Sequence, residues 1–316
     1  MISICIATYN GEKYIEEQLL SILNQTRQVD EVVICDDNSS DNTMKIITQF
    51  IKKNDDLRGW RLIVNKINKG YPSNFYYCVE KCKGDIVFFS DQDDIWKKDK
   101  IEKMESVLNE NSKIQLLSCN HGVIDSEGNK IHSYMTPKTT ETMTIKSVSI
   151  HETLHAYGWP GMTMAIRKAY YDGICYNFKD LSIAHDFILA IFASNDNAFY
   201  SYDYIGTYHR RHSNNTAEEE HRIFKLLNLR RKLHEIQLYN NMLQKVVVAE
   251  FKFNASVNNA LNKKLRLSKL RYDIIRNRRY KKLFWLYLKN GDTLRIKSFI
   301  CDFWILSFGN YKKYKE

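Results

Sequence analysis

Turn-forming residues are scarce in this sequence: 3 prolines and 12 glycines in 316 residues. That leaves little room for a flexible linker or a low-complexity segment, and no internal repeat is visible. No apolar run approaches the roughly 18 residues that a membrane-crossing helix needs. The opening Ile2-Ser3-Ile4-Cys5-Ile6-Ala7 reads as a strand too short for a signal's apolar region, so no secretory signal is expected. The seven cysteines, at 5, 35, 78, 82, 119, 175 and 301, are odd in number and lack paired metal-ligand spacing. Reduced, buried thiols in the cytosol are the simplest account. Two phosphate-binding signatures are missing as well. No Gly-x-Gly-x-x-Gly follows the first strand, which speaks against a dinucleotide site, and no Gly-Lys-Ser/Thr loop supports an ATPase.

What is present is a globular composition, 44% hydrophobic and 13% aromatic, long enough for more than one typical domain. The net charge of +10 is uneven. Residues 217–316 hold 23 Lys/Arg against 9 Asp/Glu, a net +14; residues 1–216 hold 24 against 28, a net −4. This asymmetry predicts a catalytic domain over 1–216 and a basic, mainly helical region over 217–316 that serves an anionic partner or surface.

Apolar runs at 2–7, 31–35, 61–64 and 85–90 read as strands. Between them, helical spacing runs over 12–23, 42–52 and 70–82. Strand and helix alternating at this interval predict an α/β fold whose mostly parallel sheet is covered on both faces. Ligands of such sheets bind at the C-terminal strand ends. Three of those ends carry Thr8-Tyr9-Asn10, Asp36-Asp37-Asn38 and Asp91-Gln92-Asp93-Asp94. Further on, a strand over 114–118, a hairpin over 122–131, a helix opening at His185-Asp186 and a strand over 202–208 are predicted.

The sharpest signal is Phe88-Phe89-Ser90-Asp91-Gln92-Asp93-Asp94-Ile95-Trp96. A buried strand runs straight into three carboxylates. Unpaired charge is costly to bury, so the strand must end and present its acids to solvent or to a cation. A solvated acidic turn is the plain alternative.

In order along the chain, these pieces resemble family-2 glycosyltransferases with the GT-A fold. The matching elements are Ala7-Thr8-Tyr9-Asn10, then Asp36-Asp37-Asn38-Ser39-Ser40-Asp41, then Asn68-Lys69-Gly70 with Asn74. Gly84-Asp85, Ser90-Asp91-Gln92-Asp93-Asp94-Ile95-Trp96, His185-Asp186 and His209-Arg210-Arg211-His212-x-x-Asn215 complete the set. The resemblance covers roughly residues 1–216. The Asp-Gln-Asp-Asp-x-Trp form is similar to the bacterial rhamnosyltransferase-type branch, which builds surface polysaccharides.

The resemblance implies an inverting, metal-dependent transferase. Its donor is a nucleotide sugar, dTDP- or UDP-linked, with rhamnose the first sugar to try. Its acceptor is a glycan or a lipid-diphosphate-linked glycan. Mn²⁺ or Mg²⁺ neutralises the diphosphate leaving group, held by Asp93, with Asp91 beside it and His212 in reach. Asp91 is alternatively a ribose contact. Ala7, Tyr9, Asp36 and Asp37 address the base, and Asn68, Gly70 and Arg210 complete the donor site, the arginine near the diphosphate. Asp186 is the base that takes a proton from the acceptor. Trp159, His185 and Asp94 are weaker acceptor-side candidates; a structural role in the core is the alternative for the first two, and support of the acidic loop for Asp94. For Asp36 and Asp37 the alternative is helix capping and an Asx turn.

The basic region interleaves lysine and arginine with aromatics, notably over 276–288. That suits an anionic bilayer surface as well as ordinary helix packing, and places the protein in the cytoplasm or on the inner face of the cell membrane. Two other classes stay in view. A nucleotidyltransferase of sugar phosphates would carry a glycine-rich basic loop after the first strand, which Gly11-Glu12-Lys13 does not supply. A non-catalytic nucleic-acid or membrane adaptor would work through the tail alone; nucleic acid is not the expected partner.

Overall fold

A computed structural model describes residues 1–54, 57, 59–131, 141–155, 159–212, 228–294 and 296–308. They form two compact units, residues 1–149 with 159–212, and residues 150–158 with 213–316.

The first unit is built on a nine-stranded mixed sheet. Strands β1 (Ile2–Thr8), β2 (Glu31–Asp36), β3 (Trp60–Val64) and β4 (Ile86–Ser90) are parallel, in the order β3-β2-β1-β4. Parallel neighbours need a crossover, and helices α1 (Ile15–Leu23), α2 (Thr43–Lys53) and α3 (Tyr71–Lys81) provide it. After β4 come β5 (Ile95–Trp96), α4 (Lys100–Glu110), β6 (Leu116–Ile124) and β7 (Ile145–Ser147). Strand β8 (Met164–Arg167) is antiparallel to both β4 and β6, and β9 (Phe199–Arg210) returns parallel to β6. Both β5 and β7 pair antiparallel with β9.

The apolar strands explain the layering. Ile4, Ile34 and Phe88 form one cluster with Leu19 and Ile22 of α1, Ile47 of α2 and Met104 of α4. On the other side of the sheet Cys5 and Phe89 meet Phe75 of α3. Each fully buried aliphatic or aromatic side chain contributes about 1.5–3 kcal/mol, so this double-sided core fixes the strand order firmly.

Some boundaries differ from the sequence reading. A strand is predicted over 114–118, yet β6 runs to Ile124, its register against β9 shifting on either side of Asn120. The predicted hairpin shrinks to a bridge between Ile124 and Lys130, with Gly128 at φ +86° in its turn. Helix α4 starts inside the basic run and has no predicted counterpart; Ile101, Met104 and Leu108 turn inward from it. Helix α5 (Ile150–His155) groups with the second unit. Between β8 and β9 lie α6 (Lys168–Ile174) and α7 (His185–Asn195). All seven cysteines are free; five are buried, Cys175 is half-buried and Cys301 exposed.

The second unit is helical. Besides α5 it holds α8 (Leu229–Val248), α9 (Ala255–Arg276), α10 (Tyr280–Lys289) and α11 (Ile296–Phe308). Asn228 and Asn254 cap α8 and α9 by accepting from Arg231 N and Val257 N. Leu229, Ile236, Leu267, Ile275, Leu283 and Leu306 belong to its core. Inside it Arg271 grips Asp302 with two bonds of 2.6 Å, and Tyr287 Oη donates to the same carboxylate at 2.8 Å. Among the described residues no helix is long and apolar enough to cross a membrane. Phe224, Leu227 and the lysine-rich tip lie outside the described residues.

Candidate active site

The parallel register brings three polar strand ends together. Thr8 stands opposite Asp36, and Ile6 opposite Ser90, so the loops after β1, β2 and β4 leave the sheet at one edge. Ala7 is half-buried beside Cys35, and Tyr9 is exposed.

Asp36 and Asp37 are both buried, and both serve the loops around them. Asp36 accepts from Thr8 Oγ1 at 2.9 Å and from Ser39 N and Oγ at 2.8 and 2.6 Å, an Asx turn that Asn38 continues with φ +66°. Asp37 accepts from Asn65 Nδ2, Lys69 N and Gly70 N at 2.8–2.9 Å. Asn65 also donates to Asn74 Oδ1, and Asn74 to Cys35 O. The Asn68–Gly70 segment is thereby tied to the end of β2. Gly70 sits at φ +80°, a conformation that a side chain resists, and its N–H is shared between Asp37 and Asn68 Oδ1.

The acidic loop is held from both sides. Gln92 makes a reciprocal pair with Tyr9: Tyr9 N donates to Gln92 Oε1 at 2.8 Å, and Gln92 Nε2 to Tyr9 O at 3.0 Å. Asp94 is buried; its Oδ1 accepts from Arg210 N at 3.1 Å and lies 3.1 Å from His209 Nδ1. Burial works against a charge on His209, but its bond to Asp94 and the other acids raise its pKa. Arg210 is 1% exposed. Its guanidinium donates to Asp93 O at 2.9 Å, to Ser126 O at 3.2 Å and to Glu17, and lies over the Tyr14 ring. In this conformation it props up the acidic loop.

Asp93 faces the end of β9, with Oδ2 2.9 Å from His212 Nε2. Burial, then the carboxylates of Asp94, Asp93 and Asp186, push the Asp91 carboxyl well above its usual range. A cation would reverse that repulsion. Oxygen and imidazole donors are also the set that Mn²⁺ or Mg²⁺ accepts. Asp91, Asp93 and His212 supply donors of that kind by charge and chemistry, but among the described residues no three His, Cys, Asp or Glu side chains are grouped so as to hold a metal ion.

Asp186 opens α7, half-buried, and its Oδ1 accepts from Phe187 N at 2.8 Å. Burial and the charges of Asp186 and Asp91 push Tyr71 up to about 12, which places that phenol in the field of both carboxylates. His185 is buried between Phe75 and Phe89, at 4.0 and 5.1 Å, and neither ring nitrogen has a partner. A side chain on Gly161 would strike that ring, with Cβ 2.2 Å from Nε2. Trp159 packs edge-on against Phe199 at 5.0 Å. Asn215 lies outside the described residues.

Sequence reasoning assigned no role to Gln92, Asn65, Tyr71, Glu17 or Lys100. Lys100 is wholly buried: Nζ donates to Met162 O at 2.7 Å and Thr207 Oγ1 at 2.9 Å, and stands 3.5 Å from the centre of the Trp96 ring. For Gln92, Asn65 and Glu17 only the three-dimensional partner reveals the role.

Over 100 residues the chain is 43% identical to the dTDP-rhamnosyl transferase RfbG of Shigella flexneri, covering 31% of this chain and 34% of that protein. Over 126 residues it is 32% identical to the UDP-Glc:α-D-GlcNAc-diphosphoundecaprenol β-1,3-glucosyltransferase WfgD of Escherichia coli, covering 40% and 47%. The chain spans between about a fifth and just over half the length of the curated relatives it matches. In fold it is similar to S. aureus TarS 1–349 in complex with UDP (TM-score 0.58, 19% identity, 82% of this chain and 69% of that one). It is also similar to the mannosyltransferase PcManGT from Pyrobaculum calidifontis in complex with GDP-Man and Mn²⁺ (0.57, 16%, 84% and 68%). The model of glycosyl transferase family 2 matches residues 3–173, more than half of the sequence and all of the strand ends described above except that of β9. The chain belongs to glycosyl transferase family 2.

Proposed function

We propose that this chain moves a sugar, with inversion, from a nucleotide-sugar donor to a growing surface polysaccharide or lipid-linked glycan. The observation that carries the reading is the facing pair Asp93–His212, 2.9 Å apart, beside an Asp91 whose proton affinity is raised by burial and then by three neighbouring carboxylates. The site concentrates negative charge where a cation and a diphosphate would meet. Mn²⁺ or Mg²⁺ bound there would neutralise charge on the leaving diphosphate. Asp93 and His212 would hold it, with Asp91 adjacent; one or two protein ligands plus substrate phosphates is a common way to bind Mg²⁺.

Tyr9 is the exposed ring available to the base, with Ala7 beside it. Asp36, Asp37, Asn68 and Gly70 shape the same pocket from behind. Asp186 takes the proton of the acceptor hydroxyl as its oxygen bonds to the anomeric carbon and the bond to phosphate breaks. Trp159 and His185 belong to the acceptor side, and Asp94 and Arg210 act by positioning the loop. Catalysis is assigned to residues 1–216. Thymidine-diphosphate sugars lead the donor screen: similarity to the dTDP-rhamnosyl transferase RfbG supports dTDP-rhamnose, and similarity to WfgD, whose acceptor is a diphosphoundecaprenol-linked sugar, supports a lipid-diphosphate acceptor.

The test is nucleoside-diphosphate release from dTDP-rhamnose and from UDP- and GDP-sugars, with and without Mn²⁺. Asp186→Asn should lower turnover on the order of 10²–10⁴-fold while nucleotide still raises the melting temperature. Full transfer by Asp93→Ala in the presence of a chelator would remove the metal assignment. Full transfer by Asp186→Asn would remove the base. If no nucleotide or nucleotide sugar stabilises the protein, the reading as a whole fails.

A further inference from the structure

We infer that the outward face of α10 and α11 is a docking surface for an anionic lipid bilayer. Both helices are apolar on two sides. Toward the core of their unit, α10 turns Leu283, Leu286 and Tyr287, and α11 turns Ile305 and Leu306. Away from it, Phe284, Trp285, Leu288 and Ile296 are 52–67% exposed, and Ile300 and Phe303 nearly half exposed. A helix with one core face and one water face should be polar on the second. Ring contacts join the two helices, Tyr280 to Phe303 at 6.2 Å and Phe284 to Phe299 at 6.4 Å, so the exposed residues form one continuous surface. Single exposed apolar residues need no explanation, but a continuous aromatic face does.

Charge selects the occupant. Residues 276–308 contain eight Lys/Arg and two Asp. Neither acid serves this face: Asp302 is buried on Arg271, and Asp292 is bonded to Lys263 at 2.5 Å. Lys281, Lys282 and Lys289 flank the aromatics, and Lys289 Nζ stands 5.7 Å from the Trp285 ring. Lysine with an apolar stem and charged head, beside Trp and Phe, matches the headgroup region of an anionic membrane. A second copy would set the same lysines against one another across the contact. Neither helix can span a bilayer, so the face lies on the membrane.

The experiment is cosedimentation of the full chain with vesicles of phosphatidylcholine alone and of phosphatidylcholine with about one third phosphatidylglycerol, a negative surface of the kind that attracts basic segments. Binding is expected to the anionic vesicles and to weaken with salt. Replacing Lys281, Lys282 and Lys289 together by Gln should lower partition about a hundred-fold, roughly five-fold per lysine. Phe284→Ser with Trp285→Ser should lower it at low salt as well, where charge alone would suffice. Melting temperatures confirm that the variants fold. Equal binding to both vesicle types, or partition unchanged in both variants, overturns the inference. So does concentration-dependent self-association that the serine variant abolishes, which would give the face to a second copy. No sugar donor is present, so failure here leaves the catalytic proposal standing.

Discussion

Lys100→Met tests whether a charged lysine is held beneath the acidic loop at a cost to stability. Lys100 is inaccessible to solvent, and its ammonium is met by two neutral oxygens and the Trp96 ring. Burial lowers its pKa from 10.5 to about 8, against the pull of Cys119, Asp94 and Asp91. A displacement of that size corresponds to about 3 kcal/mol. Below pH 8 the folded and unfolded chains both carry the proton, and the folded state bears the full cost of the buried charge. Between pH 8 and 10.5 the folded chain has released a proton that the unfolded chain keeps, so stability rises with pH. Above 10.5 both are neutral and the cost is gone. Methionine has no such term. The wild type should therefore gain about 3 kcal/mol on the variant across this window, while other titrating groups cancel in the difference.

At neutral pH the variant loses two hydrogen bonds of about 1 kcal/mol each, softened because Thr207 Oγ1 also donates to Met162 O at 3.2 Å. Removal of the charge offsets this, so the two proteins should lie within about 2 kcal/mol at pH 7. Urea denaturation of both proteins at pH 7, 8.5 and 10 measures the gap. A gap that does not change with pH refutes the reasoning, because it would mean that Lys100 titrates normally.

Three further outcomes are expected. Gly70→Ala should cost about 1–2 kcal/mol by denaturant melting, from backbone strain alone, since a Cβ there meets nothing within 4 Å; an unchanged midpoint would show that φ +80° is not required. Arg271→Met should destabilise the chain by about 3–5 kcal/mol by stranding the buried Asp302, and adding Asp302→Leu should recover most of it in a double-mutant cycle. Gln92→Ala removes both bonds to Tyr9; it should weaken binding of a nucleoside diphosphate with Mn²⁺ several-fold, about 1 kcal/mol, with little change in melting temperature without ligand, and unaltered affinity would free Gln92 of any part in the site.

The parallel half of the sheet was legible because its physics is local. Runs such as Val32–Cys35 and Ile86–Phe89 can only be buried strands, and clustered aspartates must end them. Helix α4 was legible in principle: Ile101, Met104 and Leu108 have helical spacing. The basic run Lys97, Lys98 and Lys100 at its start masks that spacing, since charge ordinarily marks a solvated face, whereas Lys100 is among the fully buried side chains.

The roles of the polar residues were less legible, since they depend on partners far away in sequence. Asp93 and Asp94 are neighbours with the same side chain. Asp94 is enclosed by residues 115 and 116 positions on, while Asp93 opens toward His212, 119 positions on. Nothing local separates them. The same holds for Arg210. Its charge and its place after a strand point to phosphate, but Tyr14, Glu17, Asp93 O and Ser126 O enclose it, the farthest of them 196 positions away. Charge in the sequence therefore locates the site without dividing its labour. A residue of modest chemistry such as Gln92, which closes one loop on another, has as strong a claim to set the geometry as the acids it holds in place.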